Sequence, residues 1–129
     1  MVKKHTDRET AVRLGCLNKL DWWRRLGYVV DFDDVSALGK RQIRGRWVMK
    51  TEKGKRDIIA LIKVKNICWV YLIECKAPAG GNWNKEQQEY AQKFAWLDNV
   101  IYEVVTNPSQ VDTTIAELTG HTPEKLMKL

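Results

Sequence analysis

Val12, Cys16, Leu20 and Trp23 follow one another at steps of four, four and three, which lays a single apolar stripe on a helix running from about Asp7 to Leu26. Continued toward the helix start, the stripe reaches Glu9. Gly27 ends this helix, a short extended piece follows at Tyr28-Val29-Val30, and residues 31–42 read as a loop whose turn chemistry comes from Asp31, Asp33, Asp34, Ser36 and Gly39. From Arg44 to Lys50, basic and apolar residues alternate around Trp47 and Met49, the pattern of a half-buried strand, with a turn at Glu52-Lys53-Gly54. Asp57 to Val64 and Ile67 to Lys76 are rich in β-branched and aromatic residues and predict two strands joined by a tight turn at Lys65-Asn66, with Asn66 suited to positive φ.

Ala77-Pro78-Ala79-Gly80-Gly81 cannot continue a strand. Asn84 then caps a helix to about Leu97 with Tyr90, Phe94 and Leu97 as its apolar stripe. Val100 to Thr106 predicts a further strand, Pro108-Ser109 opens a short helix through Leu118, and Thr122-Pro123-Glu124 starts a last helical turn. The predicted order is α-β-β-β-α-β-α, an α/β sandwich with helices flanking a mixed central sheet.

The pairing of the two clearest strands carries the chemical argument. If Val64 pairs with Ile67 around a two-residue turn, Asp57 stands opposite Glu74, and directly opposed residues project to the same side of the sheet. A four-residue loop keeps that register; a three-residue loop turns one carboxylate away. Within Glu74-Cys75-Lys76, alternation sends Glu74 and Lys76 to one face and Cys75 to the other. Two carboxylates about 5 Å apart at Cβ repel unless a cation lies between them, and a hard divalent metal is the natural occupant. Such a metal polarises a phosphoryl oxygen and acidifies bound water, while Lys76 orients the nucleophile or stabilises developing negative charge. The plainer alternative is that Asp57 simply starts its strand and Glu74 pairs with Lys76 on a wet face, with no catalysis.

Length and charge bound the rest. At 129 residues and 44% hydrophobic, the chain suits one domain spanning residues 1–129. Its formal charge of +6 favours an anionic partner such as nucleic acid. Ten basic residues between Lys40 and Lys65 face only Glu52 and Asp57 in acid. This stretch is either a solvated hairpin protected from edge aggregation or a phosphate-contacting rim that includes Arg44, Arg46, Lys53, Lys55 and Arg56. Cys16, Cys68 and Cys75 form no CxxC pair and read as reduced core residues, with neither a disulfide frame nor a zinc site. The polar start and the short apolar run Ile67 to Ile73 point to an intracellular, soluble protein without a signal peptide or membrane span. His5 and His121 lack ligand spacing. Most of the tryptophans read as core, with Trp83 beside Gly80-Gly81 a candidate for substrate contact and Trp22 a candidate for an interface.

Gly54-x-x-Asp57, Glu74-x-Lys76-Ala77-Pro78 and Asn84-x-x-Gln87 together resemble the VRR-NUC branch of the PD-(D/E)XK nucleases over about residues 54–106. The resemblance implies a restriction-endonuclease-like fold. It also implies Asp57 and Glu74 as metal ligands, Lys76 as a catalytic lysine, Gln87 as a supporting residue and Glu9 as an acid from the first helix. Cys75 would contribute only its backbone carbonyl to the metal. Arg56 stands where many relatives carry proline. Asn84-x-x-Gln87 is equally a capping box, which explains both residues without catalysis. The function implied is an Mg2+- or Mn2+-dependent endonuclease acting on branched DNA such as Holliday junctions, as a homodimer with two active sites related by symmetry. The alternatives are a nuclease of flap, nicking or restriction type, and a non-catalytic DNA-binding module of the same fold.

Overall fold

In a computed structural model, residues 2–36, 40–43, 46–49, 56–78 and 85–121 are described, the side chains of 2–7, 40–43 and 46–49 excepted. They form helices α1 (Val2–Arg25), α2 (Lys85–Gln92) and α3 (Ser109–Thr119) and strands β1 (Val29–Asp34), β2 (Lys40–Ile43), β3 (Arg46–Met49), β4 (Ile58–Val64), β5 (Ile67–Cys75) and β6 (Val100–Val105). One sheet runs β1-β4-β5-β6, antiparallel except for the parallel β5–β6 pair, and β2–β3 make a separate antiparallel hairpin. The fold is therefore α/β with a mixed sheet, as the hydrophobic pattern predicts.

The predicted order of three strands before the second helix is corrected to five. β1 extends through Asp34, and β2 occupies part of the segment read as a loop. A bulge hides β1 from the sequence: Val29 pairs with Ile62 and Asp31 with Leu61, so Val30 is one residue too many and breaks the two-residue period. Asp31 and Asp33 are exposed, which suits an edge strand, where charge discourages pairing with another chain. The turn Glu52-Lys53-Gly54, the cap Asn84, Trp83 and the helical turn from Thr122 lie outside the described residues.

The predicted stripe of α1 is the buried one, with Cys16, Leu20 and Trp23 wholly enclosed and Val12 nearly so. It packs with Val111 and Ile115 of α3 against Ile58, Ala60, Ile62, Tyr71, Ile73 and Cys75. These positions fix the two faces of the sheet. Odd-numbered residues of β5 turn toward α1 and α3. Leu72, Glu74 and Tyr102, which pairs with Leu72, therefore turn toward the opposite face, where Tyr90 of α2 stacks edge-on against Tyr102 with ring centroids 5.0 Å apart. Gly27, at φ 91°, ends α1 as predicted, and its N–H donates to the Arg24 carbonyl.

Three smaller expectations are also revised. Positive φ in the β4–β5 turn falls on Lys65, at 56°, and Asn66 does not adopt it. Cys68 is exposed; only Cys16 and Cys75 are core thiols. Trp22 is half-buried against its own core, edge-on to Trp23 at 5.1 Å, because a helix this tightly seated covers the flank of its stripe as well. The exposed tryptophan among the described residues is Trp96, at 78%.

Candidate functional site

The β4–β5 register starts at Val64↔Ile67 and proceeds without a slip to Ile58↔Ile73. The regular ladder ends there: the Asp57 N–H donates to the carbonyl of Ile73, which already pairs with Ile58, at 2.7 Å, so Asp57 sits in the bend before β4 and the predicted pairing directly opposite Glu74 is not continued. Asp57 is held from three sides. Its carbonyl accepts from the N–H groups of Val35 and Ser36 at 2.8 and 3.1 Å. Its carboxylate Oδ2 accepts from the Cys75 N–H at 2.8 Å. This last bond ties the acid at the head of β4 to the end of β5, so the two strand ends meet at one place.

Burial sets the electrostatics. Glu74 is half-buried, and desolvation with the neighbouring Asp57 carboxylate pushes its pKa up to about 8, against the opposing pull of the Lys76 ammonium. Burial also raises Asp57, with the Cys75 N–H working against it; Glu9 and Asp34 add negative charge and Arg13 removes some. The Asp57 carboxyl lies close enough to Glu74 to raise it further, so the two acids form a repulsive pair that a cation would relieve. Lys76 is half-buried and anchored through its N–H to the Val105 carbonyl at 2.9 Å, which fixes the start of the segment leaving β5.

Other predicted residues fall at different distances from this pair. Gln87 is completely buried on α2 and is the buried polar side chain among the described residues. Glu9 is exposed, yet it lines a cavity of about 170 Å³ together with Thr10, Arg13, Ser36, Asp57 and Cys75. The acid from the first helix thus stands at the rim of the site. Cys75 meets Asp57 with its N–H, and its thiol lies among the buried core. Arg56 turns inward, donating Nη1 to the Tyr90 hydroxyl at 2.8 Å, so its guanidinium clamps α2 to the head of β4. Arg44, Lys53 and Lys55 lie outside the described residues, and Arg46 enters only as strand backbone.

Sequence reasoning misses Arg13, Asp34 and Tyr102. Arg13 forms an ion pair with Asp34, whose Oδ1 also accepts from Ser36. Arg13 is one helical turn beyond Glu9, a spacing that could have pointed to it. Asp34 becomes visible only once β1 is paired with β4, because it sits opposite Ile58, next to Asp57. Tyr102 is brought beside Glu74 by a parallel pairing that no local pattern marks; its hydroxyl is raised by burial and by the Glu74 charge.

The donor set suits a hard divalent cation in one specific way. Among the described residues no three His, Cys, Asp or Glu side chains form a ready metal cage. Two half-buried neighbouring carboxylates do form half of one, and Mg2+ commonly takes one or two carboxylates and fills its remaining positions with water and phosphate oxygen. Among the described residues no helix is long and apolar enough to cross a membrane. The chain matches no family model, no curated protein and no solved structure.

Proposed function

We propose that this chain is a divalent-metal-dependent endodeoxyribonuclease of the restriction-endonuclease-like (PD-(D/E)XK) kind, hydrolysing phosphodiester bonds of branched DNA. The observation that carries the reading is the neighbouring pair Asp57 and Glu74, brought together where β4 begins and β5 ends, with Lys76 close enough to act on Glu74 and the Glu74 pKa at about 8. A surface that only bound DNA would have no use for two carboxylates brought toward phosphate, since they repel it.

Asp57 and Glu74 would hold Mg2+ or Mn2+ between them, relieving their mutual repulsion. When bound, the ion supplies Lewis-acid polarisation of a phosphoryl oxygen and acidifies water. The Cys75 N–H, donating to Oδ2, keeps Asp57 aimed. Lys76, close enough to act on Glu74, positions the attacking water or neutralises charge as it builds on phosphate. Gln87 supports the site from within α2, and Arg56 fixes α2 through Tyr90 so that this support does not drift. Glu9 adds a carboxylate at the rim, and Arg13, paired to Asp34, limits the negative charge around Asp57.

The basic stretch from Lys40 to Lys65 supplies phosphate contacts that are indifferent to sequence, which suits recognition by shape. A homodimer would place two such sites on opposed strands of a junction. The test is a cleavage panel in Mg2+ and in Mn2+ with single strand, linear duplex, flap and four-way junction, run beside sedimentation at the same protein concentration. The expected result is a dimer that cuts the four-way junction at least about ten times faster than the duplex, a difference of about 1.4 kcal/mol in barrier. Equal rates on junction and duplex by a monomer would leave a nuclease of another specificity, and no cleavage of any substrate would end the enzymatic reading.

A further inference from the structure

A second and larger hollow, of about 490 Å³, lies between α1, the segment leaving β5 and the turn joining β6 to α3. On α1, Arg8 and Ala11 line it while Glu9, Thr10 and Arg13 line the Asp57 cavity, so the two hollows flank the same helix. The β5 exit connects them: Cys75 borders the first and Pro78 the second, with Lys76 and Ala77 between. Pro78 is two residues beyond Lys76, which limits their Cα separation to about 7 Å. Whatever nucleotide neighbours a phosphate at Lys76 is within reach of the second hollow.

The walls have the character of a slot for a flat, amphipathic ring. Ala11, Pro78 and Pro108 give it apolar sides. The Pro108 ring is seated directly on the backbone of α1 at Gly15, where an added Cβ would overlap it, so this wall is fixed. The rim carries unspent polar capacity. Asn107 uses Oδ1 to accept the Ser109 N–H at 3.0 Å, which leaves the Nδ2 donors. The Thr106 hydroxyl donates to Gln110 at 3.2 Å and keeps its acceptor lone pairs. Gln110 in turn accepts from the N–H groups of Thr106 and Asn107 at 2.8 and 3.0 Å, holding the turn rigid. Arg8 is exposed at the mouth and has no carboxylate partner among the described residues, so it is available to a phosphate or to the face of a base.

We propose that this hollow receives one unstacked nucleobase of the substrate strand, from the nucleotide adjacent to the phosphate held at Asp57, Glu74 and Lys76. The inference rests on the nuclease reading and deepens it. A base enters the slot only where it has left the stack, which is least costly at a junction, flap or single strand and most costly within a linear duplex. The slot therefore selects branched DNA through a local property of one nucleotide, with apolar contact to the ring faces and Asn107 and Thr106 meeting the polar edge.

Two changes made separately and together test this. Ala11→Phe fills the slot from an exposed helical position, where it is not expected to disturb the core. An abasic site scanned along a flap strand removes the guest without touching the protein. Binding is measured by fluorescence anisotropy with flap and duplex DNA in EDTA, and cleavage by the unaltered chain is measured in Mg2+. The expected result is about a tenfold loss of flap affinity for Ala11→Phe, the same loss for one abasic position, no further loss when both are combined, and unchanged duplex affinity. Flap binding indifferent to every abasic position, or independent losses that multiply, would overturn the slot. Cleavage with no such effects removes the slot and keeps the nuclease; the effects without cleavage keep the slot and remove the nuclease.

Discussion

At the scale of single residues, the site is defined by one unfavourable act: placing Glu74 beside Asp57 in a half-buried position. That act has a thermodynamic signature in metal-free protein. The folded-state pKa of Glu74 is raised to about 8 from an ordinary value of 4.5, so the native state binds more protons than the unfolded chain between those values. The stability associated with the protonated carboxyl is complete below about pH 4.5 and is lost as pH rises through about 8. In EDTA, the melting temperature should therefore fall from pH 5 to pH 8, by on the order of 3 kcal/mol in stability or about 10 °C. Asp57 and Glu103 shift in the same direction and add to the slope. Glu74→Gln, neutral at every pH, should flatten much of it, as circular dichroism melts across the series will show; equal slopes for both proteins would mean that Glu74 is not buried against Asp57. Mn2+ added at pH 8 should recover the lost stability in the unaltered chain by binding only the folded state, and should do so far less in Glu74→Gln.

At the scale of elements, the β4–β5 hairpin is legible in the sequence because a two-residue turn between apolar runs permits one register, which holds from Val64↔Ile67 to Ile58↔Ile73 and breaks at Asp57, where the chain bends and no sequence pattern marks the change. The α1 stripe is legible for a similar reason, since Val12, Cys16, Leu20 and Trp23 leave a helix only one face to bury. β1 is not, because the extra Val30 and the run Asp31-Phe32-Asp33-Asp34 imitate turn chemistry on what is an edge strand. With β1 goes Asp34, and with the unmarked parallel pairing of β6 goes Tyr102. Between the sheet and α3 lies a hydrogen-bonded network on side chains that point away from Glu74. There the buried Tyr71 hydroxyl donates to Glu103, which also accepts from Thr114 of α3, and Trp23 donates Nε1 to Asp112 at 2.9 Å. Tyr71→Phe should cost about 1–2 kcal/mol, since it takes a hydrogen bond from a largely buried carboxyl. It should leave cleavage unchanged well below the melting temperature, because Tyr71 points away from Glu74. A loss of turnover in fully folded Tyr71→Phe protein would contradict this separation of Tyr71 from the carboxylates.

At the scale of the whole molecule, a mixed sheet with α1 and α3 on one face and α2 facing the other brings the head of β4 and the end of β5 to one place at its rim. Helix α1 runs past that place, carrying Glu9 and Arg13 on one flank and Arg8 and Ala11 on the other. Among the described tryptophans it is Trp96, just beyond α2, that is exposed, while Trp22 is half-buried against its own core. The central claim is that the neighbouring carboxylates hold the metal that cleaves DNA. The most direct measurement compares the unaltered chain with Asp57→Ala, Glu74→Ala and Lys76→Ala, each purified identically, for junction cleavage in Mg2+ and for junction affinity in EDTA. The two acid variants should lose cleavage by at least about a thousandfold while binding DNA as tightly as before or more tightly, a loss of about 4 kcal/mol in transition-state stabilisation. Lys76→Ala should keep Mn2+-dependent stabilisation and lose most turnover. Cleavage by Asp57→Ala or Glu74→Ala at the rate of the unaltered chain would contradict the account.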